Sequence, residues 1–203
     1  MAGALTHRNF RILWFAALGL SVDDRSTWLL ENLLVFVAVP VLVRTYPRFR
    51  FSNGVYLGLF ALFCLHEIGA HYTYSLVPYE AWLREAFGFD LTSLFGWKRN
   101  HYDRLVHFLY GLLVTPALFE VCEHFASLRG AWRWLLPATA MFGHSTLYEL
   151  MEFAAAVAFG GALGTAYLGT QGDVWDAQKD MTLACLGTVL ALVRIAVRER
   201  RRV

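Results

Sequence analysis

The sequence predicts an all-α protein, a polytopic membrane bundle of about six transmembrane helices with an external amphipathic segment. The first observation is composition: the 203 residues are 57% hydrophobic and 17% charged, with a mean hydropathy of +0.43. Ordinary soluble domains are less apolar and more charged than this. The second observation is that the apolar residues gather in segments near the ~20 residues that cross a bilayer. We treat residues 1–203 as one integral membrane domain.

The hydropathic segments define the predicted elements in chain order. The spans are residues 10–22, 28–43, 54–74, 105–124, 132–157 and 179–197. The first two are shorter than a typical span, so a locally thin bilayer or longer helices would be needed there. Between the third and fourth spans, the segment PYEAWLREAFGFD has the apolar spacing of an amphipathic helix lying at the interface over the ionisable residues.

The arginines predict the orientation of the bundle, because short cytoplasmic loops are enriched in Lys and Arg. With six spans, twelve of the basic residues fall on one side: Arg8, Arg11, Arg44, Arg48, Arg50, Arg129, Arg133, Arg194, Arg198, Arg200, Arg201 and Arg202. Both termini are therefore expected in the cytoplasm. The alternative for the N-terminus is a cleaved signal peptide, but Asp23 and Asp24 leave no convincing cleavage site.

Ionisable residues lie at the opposite, external ends of the spans, and intramembrane charges usually mark function. Residues four apart share a helix face, as do Glu67 with His71, Asp103 with His107, and Asp176 with Asp180. Glu149 and Glu152 are three apart, and Glu31 opens the second span. Several helices are therefore expected to present carboxylates and imidazoles to one interior point.

Carboxylate and imidazole together are ligands for zinc, iron or manganese, and helical bundles build such sites from facing helices. The sequence thus predicts a divalent metal, zinc first, held by His66, His71, Asp103, His107, Asp176 and Asp180. General-base or other catalytic roles are assigned to Glu67, Glu149 and Glu152. Substrate contacts are assigned to His101, His144, Gln171 and Asp173.

A purely structural polar network is the alternative for the same residues. Arg99, Arg104 and Lys179 are available as counter-ions for the acids, and Asp173 also fits the N-cap of the last span. The acids and histidines outnumber these three cations. Unless some carboxylates are protonated, a metal ion neutralises the excess most economically.

Four motifs carry a resemblance to a known family. They are LHEIGAHYTY at 65–74, RNHYDRLVHFLYG at 99–111, STLYELMEF at 145–153 and YLGTQGDVWDAQKDM at 167–181. Over about residues 24–195 the chain resembles the YjdF family of predicted bacterial inner-membrane proteins. The resemblance implies an inner-membrane location and a multi-span helical fold, and it implies no reaction.

Three functions are compatible with the cluster. The leading hypothesis is a metal-dependent membrane enzyme, a hydrolase of a lipid or lipid-linked substrate at the external boundary. The alternatives are a transporter or ion-binding protein that uses the same acids and histidines, and a di-iron membrane oxidase.

Membrane lipids are the expected partners, and no basic aromatic patch for nucleic acid is present. The small residues Gly160, Gly161 and Gly164 permit close helix packing, which is compatible with an oligomer.

Overall fold

The computed structural model describes residue 22 and residues 25–201, and every regular element in that range is helical. In chain order the α-helices are α1 Arg25–Glu31, α2 Leu33–Thr45, α3 Asn53–Tyr72, α4 Tyr79–Phe87, α5 Leu91–Phe95, α6 Tyr102–Ala126, α7 Trp132–Phe159, α8 Gly161–Leu168 and α9 Asp176–Arg200. The first predicted span, residues 10–22, lies outside the described residues except for Val22. The predicted all-α class is confirmed.

Three of the described helices, α3, α6 and α9, are long and apolar enough to cross a membrane. The pair α1 and α2 adds a fourth if it counts as one span with a bend of 43°. α7 has 28 residues, about 42 Å of helix, so its length suffices. It carries Arg133, His144, Glu149 and Glu152, and it is not among the helices that are both long enough and apolar enough to cross a membrane. The described residues thus support three or four spans, and the predicted count of six is not confirmed.

The bend between α1 and α2 occurs at Asn32, which is fully buried. The Asn32 backbone N–H and its side-chain Nδ2 both donate to the carbonyl of Trp28, at 3.0 and 3.1 Å. The Asn32 carbonyl in turn accepts from the N–H of Phe36 at 2.9 Å. The hydrogen bonds therefore continue through the break, as burial of backbone polar groups in an apolar environment requires. This turn places Glu31 inside the bundle, where it is buried.

Helix α6 is the centre of the bundle and packs against α3, α7 and α9. Its closest contact is with α9, where glycines allow the two backbones to touch. A Cβ atom at Gly111 would lie 1.9 Å from the carbonyl oxygen of Ala184, and one at Gly187 would lie 2.1 Å from that of Phe108. One turn further along, the Thr115 hydroxyl donates to that of Thr188 at 3.2 Å. Small residues at such positions are how membrane helices approach closely.

The predicted amphipathic segment, residues 78–90, contains the helix α4, and a second short helix, α5, follows it. Gly88 ends α4 with φ 76°, a left-handed conformation that favours glycine. Asp90 then caps α5 by accepting from the N–H of Ser93 at 2.8 Å. Neither helix has a buried residue, consistent with an interfacial position.

The opposite end of the bundle is held by an ion-pair cluster. Arg133 at the start of α7 pairs with Glu123 of α6 at 2.8 Å and with Glu199 of α9 at 2.6 Å. The Arg133 guanidinium also lies over the Phe119 and Trp134 rings. We call this the arginine end of the bundle, and the end with Asp103 and Asp180 the acidic end.

We predict that Gly111→Ala strongly destabilises the folded protein, because the added Cβ meets the Ala184 backbone, which cannot move like a flexible side chain. Overpacking typically costs about 1–3 kcal/mol, and a backbone clash lies at the upper end or beyond it. The matched control is Gly143→Ala on α7, where nothing lies within 4 Å of the new Cβ. Thermal unfolding in detergent measures both. Equal melting temperatures for the two variants would contradict the close α6–α9 contact.

Candidate metal centre

The register between α6 and α9 assembles the acidic end. On α6, residues four apart form a stripe that runs outward from the contact with α9, and α9 has an equivalent stripe. The two stripes are Thr115, Gly111, His107 and Asp103 on α6, and Thr188, Ala184, Asp180 and Asp176 on α9. Because Gly111 lies against Ala184, the next residues outward on each stripe also face each other.

Asp103, His107 and Asp180 form one compact group. Each offers a ligand atom, and these atoms lie within 4.8 Å of one another. His107 Nε2 lies 3.4 Å from Asp103 Oδ1. Asp180 is only 2% exposed, and its Oδ1 has no hydrogen-bond partner within the described part of the chain. Two carboxylates and an imidazole are a ligand set suited to zinc, iron or manganese.

Further acids surround this group without touching an Arg or Lys. Glu149 of α7 places Oε1 3.7 Å from His107 Nε2. Glu31 and Glu152 lie within electrostatic range of Asp103, and buried Glu67 lies beside Trp28. Among residues 25–201, none of six acids forms an ion pair with Arg or Lys: Glu31, Glu67, Asp103, Glu149, Glu152 and Asp180.

Asp173 and Asp176 belong instead to a separate, largely buried ion-pair network at the acidic end. Arg99 pairs closely with Asp176, and Arg104 pairs with Asp173 at 2.5 Å. Lys179 pairs with Asp173 at 2.6 Å. Hydrogen bonds from Lys179 and from the Trp175 backbone N–H hold the pKa of Asp173 well below its usual range, so it is charged. The structure thus places the predicted ligand Asp176 on the guanidinium of Arg99.

Two other predicted ligands, His66 and His71, lie outside the group of three. His66 Nδ1 is hydrogen-bonded to the Tyr74 hydroxyl at 2.6 Å, and its Nε2 is buried. His71, near the end of α3, has its ring against that of Tyr72. The spacing of Glu67 and His71 therefore does not bring both to the Asp103 group.

Of the residues predicted to contact substrate, three lie at the loops before α6 and α9, and the fourth lies on α7. Gln171 is exposed, and its amide makes two hydrogen bonds to the Asn100 backbone, at 2.9 and 3.1 Å. These bonds hold the loop before α9 against the loop before α6. His101 packs its ring on Trp97, and its pKa is lowered by burial and by Arg104 and Arg99.

The fourth residue, His144, is hydrogen-bonded to Tyr110 and lines a groove that begins at the acidic end. The groove lies between α2, α3, α6 and α7 and has a volume of about 410 Å³. Its walls are mainly aliphatic and aromatic. The polar residues that line it are His66, Tyr74, Asp103, Tyr110, His107, His144, Ser145 and Tyr148.

Four residues near the group were given no role from the sequence. Glu31 was noted only as the start of a span. Tyr74, Tyr148 and Tyr167 each lie within electrostatic range of both Glu31 and Glu152. Tyr148 carried a signal, since it is four residues before Glu152 on the same helix face. Tyr74 and Tyr167 lie within the quoted motifs, but no spacing singles them out.

Comparisons with known proteins agree with the membrane fold. The family described as "Predicted membrane protein (DUF2238)" matches residues 6–201. "Inner membrane protein YjdF" of Escherichia coli (strain K12) is 35% identical over 188 residues, covering 91% of this chain and 86% of that protein. No solved structure matches the chain. The resemblance carried by the four motifs is confirmed, and both matches support a bacterial inner-membrane location.

We predict that Asp176→Asn lowers thermal stability markedly, because the Arg99 guanidinium loses the carboxylate that it pairs with at a buried position. Breaking a buried pair typically costs about 3–5 kcal/mol. The control is Arg84→Gln, which breaks the Arg84–Asp90 pair, where the arginine is 65% exposed. Exposed pairs contribute about 0–1 kcal/mol, so this control should unfold near the wild-type temperature. Equal losses in the two variants would show that the Arg99 pair is not structurally important.

Proposed function

We propose that this chain, which belongs to the DUF2238 family of predicted membrane proteins, is a metal-dependent membrane enzyme, a hydrolase of a lipid or lipid-linked substrate. The observation that carries the proposal is the buried group of Asp103, His107 and Asp180. These three residues would hold a divalent ion, with zinc the first choice and iron or manganese the alternatives. A metal site with three protein ligands keeps a position open for water or substrate.

The charges at the acidic end support a cation there. Six acids lack an Arg or Lys partner in the described residues, whereas the nearby Asp173 and Asp176 have three cations between them. Uncompensated buried carboxylates are costly in an apolar environment. A divalent cation at Asp180 would offset two negative charges and occupy the unpartnered Oδ1.

The arrangement suits hydrolysis of an ester or amide. The bound ion would supply a water molecule that is deprotonated near neutral pH. Glu149, whose Oε1 lies 3.7 Å from His107 Nε2, would accept that proton. The water oxygen would bond to the carbonyl carbon as the bond to the alcohol or amine breaks. Glu149 would return the proton to the leaving group, so the products would be a carboxylic acid and an alcohol or amine.

The orientation belongs to the same proposal. Arg44, Arg48, Arg50 and Arg133 all lie towards the arginine end of the bundle, away from Asp180. The enrichment of arginine in cytoplasmic loops assigns that end to the cytoplasm. Both termini would then be cytoplasmic, and the metal group would lie at the external boundary, at the depth of lipid head groups.

The transporter alternative requires a path from the metal group to the other side of the membrane. Below the group, the Gly111–Ala184 backbone contact and the Thr115–Thr188 hydrogen bond close the space between α6 and α9. Both threonines are fully buried. This packing closes the route between α6 and α9.

We predict that protein purified without chelator contains stoichiometric metal and that Asp180→Asn loses it. Removal of a ligand should weaken binding on the order of 100-fold, at least as much as the loss of an outer-shell partner. The control is Glu85→Gln, which removes a carboxylate at an exposed position of α4, outside the Asp103 group. Elemental analysis measures both. Wild-type protein without metal would rule out a resident ion. The result would favour a protonated polar network or a transporter instead.

A second variant separates binding from chemistry. Glu149→Gln keeps the side-chain shape but cannot accept a proton, so it should retain metal and lose hydrolysis by about 100-fold or more. Release of carboxylic acid from a panel of ester- and amide-linked lipids provides the assay. Unchanged turnover in Glu149→Gln would exclude Glu149 as the base.

A further inference from the structure

We propose that the groove between α2, α3, α6 and α7 holds one acyl chain of a membrane lipid, with the head of that chain at the acidic end. The substrate class follows: a lipid whose ester or amide bond joins a single long acyl chain to its head group. The identity of the reacting bond rests on the proposed function. The acyl-chain site itself rests only on the groove.

The dimensions of the groove suit one long acyl chain. On α6 its lining runs from Asp103 to Ala117, about 21 Å at 1.5 Å per residue. Since one leaflet of the hydrocarbon core is about 15 Å deep, the groove extends past the bilayer midplane. The volume of about 410 Å³ lies within the roughly 300–1,000 Å³ range of ligand pockets. On α2 the lining residues lie on one helix face: Leu34, Val35, Val37, Ala38, Val41 and Leu42.

The groove is continuous with the surface that faces lipid. Val37 and Val41 of α2 both line it, and they are 57% and 52% exposed. Large exposed apolar residues on a membrane-spanning helix contact acyl chains. A chain can therefore enter sideways from the bilayer, without leaving the apolar phase.

The apolar wall alone gives little preference for one lipid, because lipid tails are as apolar as the groove. Selection has to come from the polar end. There His66 Nδ1 and the Tyr74 hydroxyl are hydrogen-bonded to each other at 2.6 Å, and both residues line the groove. Their side chains present polar atoms to a carbonyl, hydroxyl or amide at the head of the chain. Asp103 and His107 line the same end, so this polar group would face the proposed metal.

The experiment labels the reconstituted full-length protein with two photoreactive lipids, which carry a diazirine near the carbonyl or near the chain terminus. Cross-linked peptides are identified by mass spectrometry. The carbonyl-proximal probe should label Tyr74 and Tyr148, which lie beside His66 and His107, and the terminal probe should label Leu42, Phe51 and Ala117. This depth order requires no variant, so it decides the proposal even if a groove variant fails to fold.

Ala38→Phe tests the groove directly, since a phenyl ring at mid-depth removes the space for a chain. Labelling of Phe51 and Ala117 should fall by roughly tenfold. The matched control is Ala61→Phe on α3, where the alanine is exposed and does not line the groove. Labelling spread over lipid-facing residues such as Leu57 and Leu150, and equal in both variants, would overturn the proposal.

Two further readouts separate the competing explanations. A disulfide between Ala38→Cys and a cysteine introduced within residues 10–22 would assign the groove to the chain's own apolar segment and overturn the proposal. Metal analysis of the same samples distinguishes the two proposals. Groove labelling of a metal-free protein would support the acyl-chain site and contradict the metal-dependent hydrolase. A protein that contains metal but shows no groove labelling would contradict the acyl-chain site and leave the metal site supported.

Discussion

The backbone contact between α6 and α9 is the constraint on which the acidic end depends. With glycine at 111 and 187, the two helices approach until main chain meets main chain. The α6 stripe through Gly111 continues outward to His107, and the α9 stripe through Ala184 continues to Asp180, so the close approach brings an imidazole and a carboxylate together across the interface. A larger side chain at either glycine would push the helices apart and separate these two side chains. Packing in the middle of the membrane thus sets the geometry at its boundary.

The acidic end contains two charge environments one helical turn apart. Asp176 lies where Arg99 and Arg104 can reach it, and Lys179, still about half exposed, joins them at Asp173. Asp180 lies four residues further along α9, about 6 Å deeper, beyond the reach of these cations. Long basic side chains extend toward the interface, where their charges stay hydrated. The outer acids are therefore satisfied by the protein, while the inner acids require a proton or a metal ion.

Depth also relates the groove to the proposed chemistry. The groove is apolar for most of its length and becomes polar only where it meets His66 and Asp103. A lipid that fills it would have its chain in the hydrocarbon region and its first polar atoms beside the metal ligands. The depth of the chain in the membrane and the positions of the proposed metal ligands would then both place the same ester or amide bond at the reacting site. The α6–α9 interface below the site is closed, so no route passes between those two helices.

The sequence by itself determined the helical class, the spans now seen in α3, α6 and α9, and the pairing of Asp103 with His107. Hydropathy reports the solvent around a segment, and a spacing of four reports a shared face within one helix. The excess of acids over cations, and the identity of the counter-ions, could also be read from residue types and positions.

Only the tertiary structure decided which faces of different helices meet. Spacing treated Asp176 and Asp180 as equivalent, but the loop that carries Arg99 reaches the first and not the second. Glu67 and His71 share a face in sequence, yet His71 lies beyond the group at the end of α3. The buried bend at Asn32 brings Glu31 inward, and the groove arises from four helices at once. Such features depend on distances between segments far apart in the chain, which local periodicity does not encode.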